Sequence, residues 1–167
     1  MDLLHVALGR ETREDTGARI VAFLEAHHVM SLATVGGNGP HAANVFYVRD
    51  GFALMWVSHP ASRHSTELEA DPRVAATIAA DYTDFADVRG LQIAGRARRL
   101  VDDGERAHAR RLLEARYTFL QKLSLLPQAL LEAFARIHFY RLEPELLTLI
   151  DNSRGFGHKD TLEFKRS

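Results

Sequence analysis

The chain has 167 residues, of which 46% are hydrophobic and 26% are charged, and its formal net charge is −1. This length predicts one domain, covering residues 1–167, and the near-neutral charge argues against nucleic acids and anionic membranes as partners. Cysteine is absent from the sequence, which excludes disulfides, thiolate nucleophiles, cysteine-ligated zinc and iron–sulfur clusters.

The sequence contains neither a recognisable targeting signal nor a membrane span. Its N-terminal residues form a short apolar patch followed by charges, without the basic leader and apolar core of a signal peptide. Its apolar runs are all shorter than the roughly 18 residues that a membrane-spanning helix requires. We therefore expect a cytoplasmic protein that does not enter a membrane.

The N-terminal part of the chain predicts one helix followed by three strands. Thr12 and Asp15 form a capping box, and apolar residues at helical spacing extend this helix to about Ala26. The turns GGNGP and Asp50-Gly51 are typical of β-hairpins, because glycine and asparagine adopt positive φ readily. The three predicted strands are HVMSLATV, HAANVFYVRD and FALMWVS.

The middle of the chain predicts a short helix, two strands and the longest helix. Ser62 caps the helix SRHSTELEAD, which stops before Pro72. VAATIAA predicts a buried strand, and VRGLQIAGRARRLV alternates between apolar and polar residues. Gly95 inside this second strand indicates a bulge or a close backbone approach. The longest helix is ERAHARRLLEARYTFLQKL, with an apolar stripe of Ala109, Leu113, Tyr117 and Leu120.

The C-terminal part predicts one more helix and two more strands. Pro127 opens the helix PQALLEAF at its first position, and the strands IHFYRL and ELLTLI are separated at Glu143-Pro144. The predicted order is α-β-β-β-α-β-β-α-α-β-β. Tight turns favour antiparallel pairing over a Rossmann sheet, so we predict a mainly β fold with flanking helices (α+β), arranged as a small antiparallel barrel.

The stretch Ser62-Arg63-His64 is the most informative one for function. It opens a helix directly after a strand, so Arg63 and His64 lie at the positive end of the helix dipole, where cations are unfavourable. A bound anion would reverse that effect, because helix N-termini bind phosphate, and Ser65 adds another hydroxyl. Two interpretations stay open here: a phosphate pocket, or a solvated capping turn with incidental charges.

Other motifs favour ordinary structural roles. GGNGP lacks the Lys and Ser/Thr of a P-loop, RGFGHK reads as an exposed turn, and a GxSxG nucleophile elbow is absent. The nine histidines lack the spacing of metal ligands, so we predict no metal site, while one axial histidine for haem stays an alternative. A cofactor is therefore expected to carry any reaction. The arginines expected to form a solvated basic stripe, interspersed with Glu105 and Glu114, are Arg106, Arg110, Arg111 and Arg116.

Taken together, these segments resemble the pyridoxamine 5′-phosphate oxidase-like, FMN-binding split-barrel superfamily, and more narrowly a small bacterial branch of it. The resemblance runs from about Ala26 to Lys159. It is carried by FALMWVSHPASRHSTELEADPRVA, GLQIAGRARRL and IDNSRGFGHK. It implies an antiparallel split β-barrel that binds FMN.

The resemblance also implies roles for individual residues. Ser62, Arg63 and His64 match the turn that holds the FMN phosphate, with His64 where many relatives have lysine, and Ser58 matches a hydroxyl position near the ribityl phosphate. The basic residue that relatives place on the second strand is not clearly present, and Asn44 stands near that position. The residues expected near the isoalloxazine ring are Asn44, Val45 and Phe46 on one strand, Gln92 on a later strand, and Asn152, Phe156 and Lys159 in a C-terminal lid from a partner subunit.

The expected activity is an oxidoreductase that transfers hydride or electrons through flavin N5 to or from an unknown small substrate. Oxidation of vitamin B6 is disfavoured, because the family's C-terminal motif around a tryptophan is missing and Trp56 lies in an early strand. The alternatives are a non-catalytic flavin- or haem-binding protein and a structural dimer that has lost its cofactor. A homodimer is expected from the resemblance, and from the apolar segments FALMWVS and FLQKLSLLPQALLEAF.

Overall fold

The computed structural model describes residues 12–122 and 127–165 as an antiparallel sheet with helices around it. The helices are α1 (Arg13–Ala26), α2 (Arg63–Ala70), α3 (Asp103–Arg116), α4 (Thr118–Gln121) and α5 (Gln128–Ala135). The strands are β1 (Val29–Gly36), β2 (Gly39–Phe46), β3 (Val48–Asp50), β4 (Ala53–Ser58), β5 (Arg73–Ala79), β6 (Arg89–Arg99), β7 (His138–Asp151) and β8 (Lys159–Glu163).

The eight strands form one sheet in the order β2-β1-β5-β6-β7-β4-β3, and β8 pairs with β7. All pairs are antiparallel, and the sheet curls until β2 contacts β4. The predicted antiparallel split barrel is therefore confirmed. Among the described residues, no helix is both long and apolar enough to cross a bilayer.

Strand β7 replaces the two strands that the sequence predicts at the C-terminus. It runs without interruption through Pro144 because β6 pairs with it on one side over almost its whole length. On its other side, β4 pairs with His138–Leu142 and β8 pairs with Leu146–Ile150. The proline lacks an N–H, and it lies between these two partners. A ladder hydrogen bond from it is therefore not required there, and the predicted break was wrong.

Gly95 marks a β-bulge, as predicted. Ala94 pairs with Leu146 whereas Gly95 pairs with Pro144, so β7 carries one extra residue at this point. Because β6 and β7 approach closely at the bulge, a Cβ atom at position 95 would lie 2.3 Å from the carbonyl oxygen of Glu143.

Helix α1 and the two hairpins follow the sequence closely. The capping box of α1 is present, with the Thr12 hydroxyl accepting from the Asp15 amide at 3.1 Å. Gly39 and Gly51 have φ values of 86° and 61° at the hairpin turns. The predicted strand HAANVFYVRD divides into β2 and β3 at Tyr47, because the chain changes partner there: Phe46 pairs with Val29 of β1, whereas Val48 pairs with Met55 of β4.

Strand β4 is apolar on both faces for an intramolecular reason. Leu54 and Trp56 face the barrel core, and Met55 is buried in a second cluster that includes Leu113 of α3. The sequence therefore indicated burial correctly, but this strand supplies no exposed surface for a subunit interface. Strand β5 is less buried than the sequence indicates. The sequence predicts it as buried, yet its residues alternate between buried and exposed.

The longest predicted helix ends earlier than expected. Helix α3 stops at Arg116 because Tyr117 adopts an extended conformation, with φ −116° and ψ 94°, and the short α4 follows. Leu123, the last residue of the predicted helix, lies outside the described residues. Helix α5 begins at Gln128, and the Pro127 carbonyl accepts from the Leu131 amide at 3.2 Å, so Pro127 precedes the helix instead of opening it.

The C-terminal segment forms a hairpin whose second strand the sequence did not predict. The RGFGHK stretch makes the turn between β7 and β8, with Gly155 and Gly157 at positive φ, which confirms an exposed turn. Leu162 of β8 is 2% exposed and belongs to the barrel core. The hairpin is therefore part of the barrel.

Candidate functional site

Three of the predicted phosphate residues meet where β4 ends and α2 begins. Ser58 Oγ lies 2.6 Å from His64 Nε2, and Ser62 Oγ lies 3.1 Å from the same nitrogen. The two serine oxygens are 3.1 Å apart, and Ser62 donates to Ser65 Oγ at 2.8 Å. His64 is 8% exposed and Ser65 is fully buried. We call these four residues the serine–histidine cluster.

Ser62 occupies the N-cap position of α2, as predicted, but its side chain does not cap the helix. Its hydroxyl makes no hydrogen bond to the backbone of the first turn, because it is directed into the serine–histidine cluster instead. The backbone N–H groups of this turn therefore have no acceptor in the Ser62 side chain, which is the usual acceptor at an N-cap. Such an end of a helix is favourable for an anion.

The surroundings of His64 favour its neutral form. Burial lowers the pKa of His64 below its ordinary value of 6.5, and the positive charge of His41 lowers this pKa further, while Glu67 acts in the opposite direction. The rings of His41 and His64 are nearly parallel, with their centres 6.4 Å apart. An anion placed between or beside the two imidazoles would favour their charged forms.

Arg63 lies beside the cluster and is directed towards the β1–β2 hairpin. Its Nε donates to Glu67 Oε1 at 2.7 Å and its Nη2 donates to the carbonyl of Gly39 at 3.1 Å. Glu67 also accepts from Thr34 Oγ1 at 2.6 Å, and the bonds from Thr34 and Arg63 lower the pKa of this carboxyl group. Contact between Arg63 and a phosphate would therefore compete with an existing ion pair.

The three predicted residues of β2 do not share one face. Asn44 is exposed and accepts from Ser31 Oγ at 2.7 Å, and Phe46 is 53% exposed. The Val45 side chain faces the other way and packs against the barrel core, so only its backbone is available to a ligand on the outer face. The phenyl ring of Phe46 lies 5.4 Å from the ring of Tyr117.

Gln92 lies in the same cross-strand row as Asn44. Asn44 is opposite Ser31, Ser31 is opposite Thr77, and Thr77 is opposite Gln92. This polar row crosses β2, β1, β5 and β6 on the outer face. Three strand spacings of about 4.8 Å separate its ends by roughly 14 Å along the sheet, so Asn44 and Gln92 are not in contact within one chain.

A row of small apolar residues runs beside the polar row. Ala42 is opposite Ala33, Ala33 is opposite Ala75, and Ala75 is opposite Ala94. Ala42, Ala75 and Ala94 are exposed, and Ala33 is half-buried. These small side chains therefore form an apolar strip on the outer face beside the polar row.

The predicted lid residues belong to the opposite end of the sheet from α2. Asn152 donates through Nδ2 to the Phe85 carbonyl at 2.9 Å, and the exposed ring of Phe156 stacks on Phe85 with centres 5.0 Å apart. Lys159 is exposed and pairs with Ile150, which is opposite Gly90.

Gly90 pairs with Ala79 at the end of β5, whereas α2 leads into the start of β5 at Arg73. At about 3.3 Å per residue, the two ends of β5 are roughly 20 Å apart. The lid residues therefore do not meet the serine–histidine cluster within one chain.

The sequence-based prediction of the site did not include His41 or Glu67. His41 faces inwards on β2 and is opposite Thr34 across the hairpin, so the alternation of β2 contained a signal for it. The four-residue spacing between Arg63 and Glu67 predicts their ion pair. In neither case did the sequence indicate that α2 packs against this hairpin.

Comparison with known proteins identifies the family. The sequence model described as pyridoxamine 5′-phosphate oxidase matches residues 16–149 of the chain. The chain belongs to the pyridoxamine 5′-phosphate oxidase family. The serine–histidine cluster and both outer-face rows lie within the matched residues, whereas Asn152, Phe156 and Lys159 follow them.

Relatives and solved structures agree with membership of this family. A UPF0306 protein from Photorhabdus laumondii is 30% identical over 139 residues, which are 82% of this chain and 88% of the relative. The heme-binding protein from Mycobacterium smegmatis has a TM-score of 0.67 and 24% identity, and the match covers 92% of this chain and 59% of that one. An FAD-binding protein from Mesorhizobium loti has a TM-score of 0.60 and 22% identity over 78% of this chain and 90% of its own. Both structures share the fold of this family member.

Proposed function

We propose that this family member binds FMN and holds its phosphate at the serine–histidine cluster. The observation that carries the proposal is the convergence of Ser58 and Ser62 on a buried imidazole, at a helix end that Ser62 does not cap. Hydroxyls, an imidazole N–H and backbone amides are all donors to phosphate oxygens. Membership of the family and the likeness to an FAD-binding protein support a flavin as the ligand.

The two histidines supply the positive charge of the proposed phosphate site. His64 stands where many relatives have lysine, and His41 is the β2 side chain whose ring faces it. A phosphate dianion raises the pKa of a neighbouring imidazole, so FMN binding is accompanied by proton uptake near neutral pH. Arg63 can donate to the phosphate only in competition with its ion pair to Glu67.

We place the rest of the flavin site between two copies of the chain. The lid residues Asn152, Phe156 and Lys159 lie too far from the serine–histidine cluster to form one site with it in a single chain, and Gln92 lies roughly 14 Å from Asn44. A second copy can bring its own set of these residues to the cluster. The row of exposed alanines on the outer face gives such a copy an apolar surface to pack against. The homodimer thereby completes two equivalent sites.

The proposed activity is that of a flavin oxidoreductase with a small-molecule substrate. When FMN is bound, it supplies hydride transfer at its N5 atom. The chain itself binds the phosphate, and Asn44 and Phe46 line the outer face along which the ring is oriented.

The absorption spectrum of the purified protein provides the first test. We expect the absorption bands of a flavin, and denaturation should release a chromophore with the mass of FMN. A Soret band in their place would identify haem as the ligand and contradict the proposal.

Titration with FMN and riboflavin tests the phosphate site. Ser62→Ala and His64→Gln are each expected to weaken FMN binding about tenfold or more, as for the loss of a hydrogen bond to a charged group. Riboflavin lacks the phosphate and should bind the parent and both variants equally weakly. Thr66→Ala is the matched control, because its hydroxyl lies on the same helix but bonds to the Arg63 carbonyl. Equal FMN affinity in the parent and in all three variants would show that the phosphate does not bind at this cluster.

A further inference from the structure

A second concentration of positive charge lies beside the start of β7. The end of β6, helix α3 and residues 137–139 enclose a groove of about 480 Å³. Its charged lining consists of Arg99, Arg106, Arg110, Arg111 and a single acid, Asp103. The sequence predicts three of these arginines as part of a solvated stripe, but the fold gathers them with Arg99 around one concavity.

The arginines of the groove are only partly neutralised. Arg106 forms an ion pair with Asp103, and Arg110 lies 3.8 Å from Glu114 while its guanidinium sits 5.3 Å from the centre of the Phe139 ring. Within residues 12–122 and 127–165, Arg99 and Arg111 have no ion-pair partner. After the two ion pairs are counted, the groove carries an excess of about two positive charges, from Arg99 and Arg111, in a chain whose net charge is −1.

His138 adds an unsatisfied polar group to the same groove. Its Nδ1 atom is buried and has no hydrogen-bond partner among the described residues. Burial lowers the pKa of His138, and the positive charge of Arg99 is the next largest cause. The positive charge of Arg99 thus reaches the imidazole, and the carboxylate of Glu69 offsets part of its effect on the pKa.

We propose that this groove binds the diphosphate of a nucleoside diphosphate. Its volume lies within the range of small-molecule sites, about 300–1,000 Å³, so it suits a compact ligand. Arginine guanidinium groups bind phosphate oxygens in pairs of parallel hydrogen bonds, and the two arginines without an ion pair, Arg99 and Arg111, provide one guanidinium for each phosphate of a diphosphate. Leu100 and Phe139 also line the groove but are buried, so the arginines make the contacts with the phosphates and the nucleoside extends towards solvent.

This site is distinct from the proposed FMN phosphate site and does not depend on it. His138 is the cross-strand neighbour of Ser58, so the two sites adjoin at the start of β7. They use different residues, however, since Ser58, Ser62 and His64 do not line the groove.

The test is calorimetric titration of the full chain with ADP at low ionic strength. Arg99→Gln and Arg111→Gln are each expected to weaken ADP binding about tenfold. Neither substitution removes an ion pair, so the fold should be retained, and circular dichroism checks this. Arg96→Gln is the matched control: Arg96 is exposed on β6, three residues before Arg99, and lies outside the groove. It should leave ADP binding unchanged.

Three results would overturn the proposal. The first is equal ADP affinity in the parent and in the Arg99→Gln/Arg111→Gln double variant. The second is binding of adenosine as tight as that of ADP, which would exclude recognition of the phosphates. The third is competitive displacement of ADP by FMN, which would make the groove part of the flavin site. Conversely, ADP binding that persists at saturating FMN and weakens with added salt supports a separate anion site.

Discussion

Gly95 and Glu143 approach each other so closely that β6 has no room for a side chain at position 95. The carbonyl oxygen of Glu143 would lie 2.3 Å from an added Cβ atom, and the Pro144 Cα atom would lie 3.0 Å from it. Both neighbours are backbone atoms, so a rotamer change cannot relieve the overlap. The bulge in β7 is what brings these two strands together at this point.

Gly95→Ala is therefore expected to lower the free energy of unfolding by about 1–3 kcal/mol, as for overpacking in a buried position. Urea denaturation followed by circular dichroism measures the change. Gly90→Ala on the same strand is the control, since its nearest neighbour would lie at an ordinary distance of 3.6 Å. Equal destabilisation by the two variants would mean that the close approach at the bulge is not the cause.

Arg116 stabilises the C-terminal end of α1 from the last turn of α3. It donates to the carbonyls of Leu24, Glu25 and His27 at 3.3, 3.0 and 2.5 Å, and its Nη1 lies 2.9 Å from Glu25 Oε2. The expectation that Arg116 belongs to a solvated stripe was wrong, because its side chain is only 13% exposed. Helix α1 has no basic residue in its own last turn, so Arg116 provides the favourable cation.

We expect Arg116→Gln to reduce the free energy of unfolding by roughly 2–3 kcal/mol, through the loss of charge-assisted bonds to an otherwise unsatisfied helix end. Chemical denaturation monitors this loss. Arg111→Gln, on the same helix but without an ion-pair partner among the described residues, should stay within about 0.5 kcal/mol of the parent. A similar small effect of both substitutions would show that the Arg116 contacts are not stabilising.

The buried imidazole of His64 predicts how FMN affinity depends on pH. Burial and the charge of His41 lower the pKa of His64 in the free protein, whereas a bound phosphate raises it. The complex therefore binds this proton more tightly than the free protein does. The favourable contribution of the imidazolium is fully present at low pH and is lost as pH rises through the histidine range.

Fluorescence titrations with FMN between pH 5 and 8 measure this dependence. The phosphate itself protonates near pH 6, but that effect is common to the parent and to His64→Gln. The ratio of the FMN affinity of the parent to that of His64→Gln should therefore be largest at low pH and decline above neutrality. In His64→Lys, which keeps its charge throughout, this decline should be absent. A ratio that does not change with pH would place His64 away from the phosphate.

The alanine row on the outer face predicts the effect of charge on assembly. Ala75 lies at the centre of this face, between Ala33 and Ala94. A carboxylate introduced there would be buried without a partner in the proposed dimer. Ala75→Glu should therefore convert a dimer into a monomer, and light scattering at micromolar concentration distinguishes the two.

Ala115→Glu, at an exposed position of α3, is the control and should remain dimeric. The same Ala75→Glu variant should bind FMN more weakly if the second copy completes the site. A monomeric parent, or a monomeric variant with unchanged FMN affinity, would argue for a site within one chain.

The sequence by itself determined the local elements whose physical signals are short-range. Thr12 with Asp15 specified the start of α1, and glycines at positive φ specified both hairpin turns. The alternation of apolar and polar residues in β6 specified its buried face, and Gly95 indicated the bulge. The same local logic brought Ser62 and His64 together, since both lie at the start of one helix that directly follows Ser58.

Only the tertiary structure decided the features that depend on which elements pack together. Pro144 interrupts a strand in isolation, but it lies within β7 because β6 pairs on one side while β4 and β8 divide the other. The arginines of α3 carry no local signal that separates them. The packing of α3 against β3 and β4 nevertheless places Arg116 at the end of α1 and leaves Arg106, Arg110 and Arg111 beside Arg99. Long-range packing sets the surroundings of a charge, and those surroundings determine whether it caps a helix, binds a ligand or remains in water.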